Sequence, residues 1–245
     1  MPLKRIAIVV FIAGGMLVTR PRPGLAGGEV GVAQASVGRG SGTVEGTIFY
    51  RHDRKHAWRL SRYYVKSPKI GELAEAVISL SGPSISRSSA GRQPSTVTVD
   101  QREMRFVPET VAIRAGDRVR FTNSDSQTHN ITVSDPRLQF SDTIANGQSS
   151  FEAFSRASGI HRPFALGCKF HCQMQGWVYV FDHAFFKTTG VDGRFRLDSI
   201  PPGDYRLDVA QSAGELHASR VVQVKPNQTV KLEIILTPAD RSTAE

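Results

Sequence analysis

Both cysteines of this 245-residue chain lie in one short segment together with a histidine and a methionine. The segment reads CKFHCQM, in which Cys168, His171 and Met174 follow a C-x2-H-x2-M spacing. A thiolate, an imidazole and a thioether are soft or borderline ligands, and together they suit copper better than magnesium, calcium or manganese. A loop of this spacing can fold its first, fourth and seventh residues around one ion. The segment therefore indicates a metal site, with copper as the best match.

A trigonal copper site needs one more imidazole. His129 is the best candidate because it begins a strand-like run, HNITV, upstream of the cysteine loop. His161 is the second choice. Zinc bound by Cys and His side chains remains an alternative. A disulfide between Cys168 and Cys172, which would destroy the copper site, is a further alternative in an oxidising compartment.

Short alternating segments separated by turn signals predict an all-β fold. Candidate strands lie at 43–50, 75–80, 96–107, 110–114, 117–122, 129–133, 150–154 and 177–182, and further alternating segments lie at 188–197, 200–210 and 220–236. Gly116 marks a turn, and Asn146-Gly147 predicts a hairpin. We expect no helix longer than a turn or two.

Residues 97–182 resemble the type 1 blue copper proteins, or cupredoxins, of the plastocyanin, pseudoazurin and amicyanin kind. The resemblance rests on FVPETVAIRAGDRVRFTNSDSQTHNITV (106–133) and CKFHCQMQGWVYVF (168–181). The short C-x2-H-x2-M loop is most similar to that of amicyanin. The resemblance implies a Greek-key β-sandwich that transfers single electrons.

The resemblance also implies a role for each matching residue. One mononuclear type 1 copper ion would be bound by His129 Nδ1, Cys168 Sγ and His171 Nδ1, with Met174 Sδ as a long axial ligand. Asn130 would tie the His129 segment to the cysteine loop, and His171 would be the port through which electrons pass. The sequence departs from the family at the residue after this histidine, a cysteine here and commonly a proline in the family.

A second resemblance covers residues 188–209, which are similar to the carboxypeptidase regulatory-like, transthyretin-like β-sandwich. An Asp-Gly-x-Phe turn and a Pro-Pro-Gly-x-Tyr-x-Leu strand carry it. Such folds begin with two strands, which here match GTVEGTI and AEAVISL on the far side of the copper segment. We therefore expect one discontinuous sandwich from 42–82 and 184–238, with the cupredoxin-like domain, 97–182, inserted into it.

The first 26 residues predict a secretory signal peptide, because a positive start precedes an apolar core too short to span a bilayer comfortably. Arg20 and Arg22 are unusual before a cleavage site, so an uncleaved anchor is the alternative, and only then would the protein contact a membrane. Residues 27–41 are rich in Gly, Ala and Ser and predict a flexible lead-in. In both cases we expect a periplasmic or extracellular protein.

The formal net charge of the chain is +9, and removal of the signal would leave a moderately basic protein. This charge fits a redox partner protein with an acidic surface and does not by itself suggest nucleic acid, so no nucleic-acid partner is expected. Residues 51–69 interleave Lys and Arg with Trp and Tyr. They predict either a polyanion-binding patch or a solvated loop.

These observations favour an exported one-electron carrier that is not an enzyme, since the sequence shows no nucleophile–base pattern. Two alternatives remain open. The first is a copper-binding module that stores, delivers or senses the metal. The second is a metal-free surface-binding module in which the two cysteines are bridged.

Overall fold

The computed structural model describes residues 40–51, 70–85 and 92–241. The described residues form 16 β-strands and two short 3-10 turns, so the predicted all-β fold is confirmed. The signal peptide predicted at 1–26, most of the lead-in and most of the basic stretch lie outside these residues. In the part of the chain that the structure describes, no helix has the length and apolar character of a membrane span.

Nine strands between residues 96 and 181 form two sheets that pack face to face. They are β3 (Thr96–Arg102), β4 (Arg105–Val107), β5 (Thr110–Arg114), β6 (Arg118–Asn123), β7 (His129–Asp135), β8 (Leu138–Ile144), β9 (Ser149–Ala153), β10 (Phe164–Gly167) and β11 (Gln175–Phe181). One sheet has the order β4-β3-β6-β9, and the other has the order β5-β11-β10-β7-β8. In β6, buried Val119 and Phe121 alternate with exposed arginines, as expected for a strand with one face on a core. Each fully buried side chain of this size contributes about 1.5–3 kcal/mol of transfer free energy.

A second pair of sheets takes its strands from both sides of this segment. They are β1 (Gly42–Tyr50), β2 (Val77–Ser81), β12 (Phe186–Thr188), β13 (Arg194–Ile200), β14 (Gly203–Gln211), β15 (Leu216–Val224) and β16 (Thr229–Leu236). Their orders are β13-β1-β16 and β12-β2-β14-β15. β1 pairs parallel with β16 and antiparallel with β13, and β2 pairs antiparallel with β12 and β14. A separate apolar core, which includes Ile48, Leu80, Leu207 and Leu216, lies between these two sheets.

Two local predictions are wrong. The strand expected at 96–107 is two antiparallel strands, because Glu103 and Met104 both have positive φ and turn the chain between β3 and β4. Asn146-Gly147 forms a turn but no hairpin. The strands that it connects lie in different sheets, since β8 pairs with β7 and β9 pairs with β6.

The two sandwiches contact each other through the outer face of β11 and the outer face of the β2–β14–β15 sheet. A small apolar cluster fills this interface and contains Val77, Ile160, Tyr179, Phe181 and Ala210. The Tyr179 hydroxyl bonds the Ser212 hydroxyl at 2.5 Å. Burial raises the pKa of Tyr179 to about 12, so this contact is between neutral groups at physiological pH. The Thr110 amide donates to Glu75 Oε2 at 2.8 Å and adds a polar contact.

Candidate metal centre

The four predicted ligands lie at one end of the β5-β11-β10-β7-β8 sheet. His129 is the first residue of β7, and Cys168 directly follows β10. His171 lies in the loop between β10 and β11, and Met174 is the last residue before β11. β10 pairs antiparallel with both neighbours, so the end of β10 lies beside the starts of β7 and β11. Strand order therefore brings together side chains that are far apart in sequence.

Three potential ligand atoms converge in this place. His129 Nδ1 lies 3.1 Å from His171 Nδ1, and His171 Nδ1 lies 3.7 Å from Cys168 Sγ. All three ligand atoms lie within 4.8 Å of one another. His129 is completely buried, Cys168 is 8% exposed, and His171 is half-buried. Within residues 40–51, 70–85 and 92–241, this is the one such group of three or more His, Cys, Asp or Glu side chains.

Met174 is a buried residue of the core that also contains Cys168. Its side chain is 1% exposed and belongs to the same core cluster as Cys168. Its backbone N–H donates to the carbonyl of His171 at 3.0 Å, which closes a tight turn in the loop. This turn fixes the backbone spacing between the imidazole and the thioether.

Asp125 orients the buried imidazole, a role that the sequence did not suggest. His129 Nε2 lies 2.7 Å from Asp125 Oδ2. Burial would raise the pKa of Asp125, but hydrogen bonds from the Met104 amide, His129 and the Glu103 amide outweigh it and lower this pKa. An ionised carboxylate only accepts hydrogen bonds, so Nε2 carries the ring hydrogen and Nδ1 presents a lone pair to the other ligand atoms.

Asn130 connects the His129 strand to the cysteine through its main chain. Its backbone N–H donates to Cys168 Sγ at 3.4 Å. Its side-chain amide donates to β8 instead, with the shortest bond to the Asp142 carbonyl at 2.8 Å. The amide oxygen accepts from the Thr132 hydroxyl at 2.5 Å. The side chain therefore fixes the β7–β8 pair, while the backbone amide stabilises charge on the sulfur.

The remaining candidate residues, Cys172 and His161, are not members of this group. Cys168 and Cys172 are both free thiols, the first buried and the second exposed. Cys172 is not a member of the three-residue group. It does line a pocket of about 410 Å³ together with Cys168 and Met174. His161, the second-choice ligand, lies instead against His217, with ring centroids 5.6 Å apart.

The role of Asp125 is not evident from the sequence, because its position depends on a turn between two other strands. The carboxylate bonds the backbone amides of Glu103 and Met104, at 2.6 and 3.0 Å, in the unpredicted β3–β4 turn. The spacing of four residues from His129 was the one available signal. That spacing has no special meaning in a loop that leads into a strand.

A comparison with protein-family models finds a match over the middle of the chain. Residues 94–180 match the family of copper binding proteins of the plastocyanin/azurin family. Residues 94–180 are a cupredoxin-like domain. The match covers well under half of the 245-residue chain.

Several solved structures are similar to the cupredoxin-like domain. A reduced amicyanin mutant is 21% identical, with a TM-score of 0.31, over 42% of this chain and 98% of the amicyanin chain. Amicyanin from Paracoccus versutus is 20% identical, with a TM-score of 0.31, over 42% of this chain and 97% of its own. The Cu-containing nitrite reductase from Thermus scotoductus SA-01 is 21% identical, with a TM-score of 0.33, over 41% of this chain but only 27% of its own. A search of curated proteins finds no match. These scores are too low for a functional conclusion.

Proposed function

We propose that this chain is an exported copper protein that carries single electrons through one mononuclear copper ion. The observation that carries the proposal is the convergence of His129, Cys168 and His171 in a largely buried group within the cupredoxin-like domain. Two imidazoles and a thiolate with a weak axial thioether are the donor set of blue-copper electron-transfer sites. Met174 would supply the thioether.

The residues fit a metal ion on distance and on chemistry. In protein metal sites, bonds of about 2.0–2.1 Å to imidazole and about 2.3 Å to thiolate are typical of an ion such as zinc. One ion of that size can therefore touch donors separated by the 3.1 and 3.7 Å observed between these side chains. With Asp125 holding the hydrogen on Nε2, His129 Nδ1 points a lone pair at His171 Nδ1. That lone pair is available to a cation held between the two nitrogens.

The protein's own contribution is to hold the donors in place. Asp125 fixes the tautomer and ring orientation of His129, and the Asn130 amide donates to the sulfur of Cys168. Outer hydrogen bonds of this kind orient metal ligands and tune the metal. Bound copper would supply the reversible one-electron couple. Donors held at the ends of paired strands and in the short loop between two of them would need little rearrangement when the charge changes.

His171 is the residue through which we propose that electrons pass. It is the one half-buried member of the group, whereas the other two members are buried. Lys169 and Phe170 beside it are exposed, with Phe170 56% exposed. An apolar ring and a positive charge next to the port would suit a redox partner protein with an acidic surface.

We propose that the chain is not an enzyme and that it acts in the periplasm or outside the cell. Ser79 Oγ lies 3.4 Å from His183 Nε2, which superficially resembles a nucleophile and its base. However, the Phe185 amide donates to His183 Nδ1, so Nε2 carries the hydrogen and cannot accept one from the serine. This tautomer supports a carrier over a serine hydrolase. The proposed location rests on the N-terminal signal.

The first test is the visible absorption spectrum of the full chain loaded with Cu(II), followed by voltammetry. We expect an intense thiolate-to-copper band and a reversible one-electron wave. His129→Ala should abolish or strongly shift the band, whereas His183→Ala, which removes a histidine outside the group, should leave it unchanged. A colourless protein, or a band that is insensitive to His129→Ala, would refute the proposed ligand set. Zinc bound in preference to copper would favour the alternative metal.

Copper delivery is a second candidate function, because an exposed free thiol lies close in sequence to the ligands. Cys172 lines the same pocket as Cys168 and Met174, and its sulfur could accept Cu(I) from solution or from a partner. A delivery protein should lose copper to a competing chelator much more slowly as Cys172→Ser than as wild type. An electron carrier should show equal rates for the two proteins.

We also propose that 42–82 and 184–238 form one transthyretin-like domain interrupted by the cupredoxin-like domain. The pairing of β1 with β13 and β16, and of β2 with β12 and β14, supports this division. Limited proteolysis in the linkers should release an intact fragment of about 97–182 while the outer pieces stay associated. Separation of the outer pieces without denaturant would contradict it.

A further inference from the structure

Two histidines that the copper site does not use meet at the interface of the two sandwiches. His161 belongs to the loop between β9 and β10 of the cupredoxin-like domain, and His217 belongs to β15 of the second sandwich. Their ring centroids are 5.6 Å apart and their planes are inclined by 35°. Ile160, buried in the interface cluster, anchors the loop that carries His161.

The two rings differ in exposure. His161 is exposed, whereas His217 is half-buried and its Nδ1 is fully inaccessible. That nitrogen has no hydrogen-bond partner in the described part of the chain. A buried polar atom without a partner destabilises the folded protein, so its presence calls for a ligand or a role.

The surroundings favour the neutral, ligating form of His217. Burial, and then the proximity of His161, lower the pKa of His217, while Asp208 opposes them. Asp208 is itself buried on the neighbouring strand, where it pairs with Arg206 at 2.9 Å and accepts from the Ser219 hydroxyl. A neutral imidazole is the form that binds metals, and the nearby carboxylate would offset part of an added positive charge.

We propose that His161 and His217 form a second metal site, which binds one divalent transition-metal ion of the zinc class between the two sandwiches. Imidazole suits zinc, copper and nickel, and water would complete the coordination on the exposed side. Such an ion would link the β9–β10 loop of one sandwich to β15 of the other. The site is independent of the proposed electron transfer, because it shares no residue with the group around Cys168.

The test is calorimetric titration of the full chain with Zn²⁺ near neutral pH. The titration uses a background protein in which His129→Ala and Cys168→Ser remove the proposed copper site. This background should still bind one zinc ion per chain. Adding His161→Gln, or separately His217→Gln, should abolish this binding or weaken it at least about tenfold, as loss of one of two protein ligands requires. His161 is exposed, so its substitution carries little risk to folding.

Matched controls separate this site from adventitious zinc. His183→Gln, a buried histidine at the same interface, should leave the remaining zinc ion bound, and so should a double change of His52 and His56 to Gln. Zinc should also raise the unfolding temperature of the background protein but not that of its His161→Gln derivative. The proposal is overturned if the background binds no zinc. It is equally overturned if only one of His161 and His217 matters, or if the His52/His56 change removes the binding.

Discussion

Asp125→Asn tests whether an outer hydrogen bond sets the affinity of the proposed copper site. Asp125 Oδ2 accepts from His129 Nε2 at 2.7 Å and from the Met104 amide at 3.0 Å, and Oδ1 accepts from the Glu103 amide at 2.6 Å. Asparagine has nearly the same shape but offers one oxygen and one NH₂ group. In either orientation of the amide, an NH₂ hydrogen must therefore face an N–H donor.

The size of the effect follows from these three bonds. The substitution removes at least one hydrogen bond to a charged group, each worth about 1.5–3 kcal/mol, and we expect the metal-free protein to lose about 2 kcal/mol of unfolding free energy. His129 is fully buried, so water cannot replace the lost partner of Nε2. Loss of a group that orients a ligand typically costs about 10–100-fold in metal affinity, and we expect a decrease in copper affinity of that size.

The assay is chelator competition followed through the copper–thiolate band, together with denaturant unfolding of the metal-free protein. Asp117→Asn is the matched control. The Asp117 carboxylate also accepts from two backbone amides and a cationic side chain, at the opposite end of β6. The control should lose a comparable free energy of unfolding and keep its copper affinity. Equal copper affinity in the wild type and in Asp125→Asn, with a loss of stability like that of the control, would refute the reasoning.

Three further predictions concern the framework. Burial raises the pKa of Glu75, so its ionisation destabilises the folded state as the pH rises through that raised pKa. Glu75→Gln should therefore be more stable than wild type in denaturant unfolding at neutral pH, and the advantage should disappear below the ordinary glutamate pKa. Tyr179→Phe removes the bond to Ser212 and should cost about 1 kcal/mol in the same assay, whereas no loss would show that this contact does not stabilise the interface. Gly193 has a φ of +69°, and a Cβ there would lie 2.5 Å from a backbone oxygen, whereas Gly147, with a φ of +73°, has open space. In thermal unfolding, Gly193→Ala should cost clearly more than the roughly 1–2 kcal/mol of backbone strain expected for Gly147→Ala.

The sequence predicts strands well where one face is apolar and the other polar. The sequence does not predict β8 and β10, and each omission has a physical reason. β8 is an edge strand in which half-buried and exposed residues alternate and only the last residue is buried, so its pattern LQFSDTI is weak. β10 has only four residues, too few for a period to show. Asn146-Gly147 shows a different limit, because local turn chemistry fixes a turn but not the sheet that each flanking strand joins.

In the candidate site, too, residues close together in the sequence can be predicted, whereas contacts between distant segments cannot. The ligands of the seven-residue loop can be predicted because these soft donors are close together in the sequence. The family resemblance adds His129 as a further ligand. The role of Asp125 cannot be predicted from the sequence, since its carboxylate is held by the backbone amides of the β3–β4 turn, which is distant in sequence. The pairing of His161 with His217 depends on how two sandwiches pack, which no local pattern encodes.

The pairing of β2 with β12 also bears on how the chain folds. Ser79 pairs with Phe186, so the whole cupredoxin-like domain occupies the place of a hairpin loop between two antiparallel strands. A flexible loop of that length would make closure slow and entropically costly. A loop that folds by itself into a compact body, with its two ends at one place, removes most of that cost. Folding of the inserted domain would then bring together the flanking strands of the second sandwich. β1 would remain without its partner β16 until nearly all of the described chain had been made.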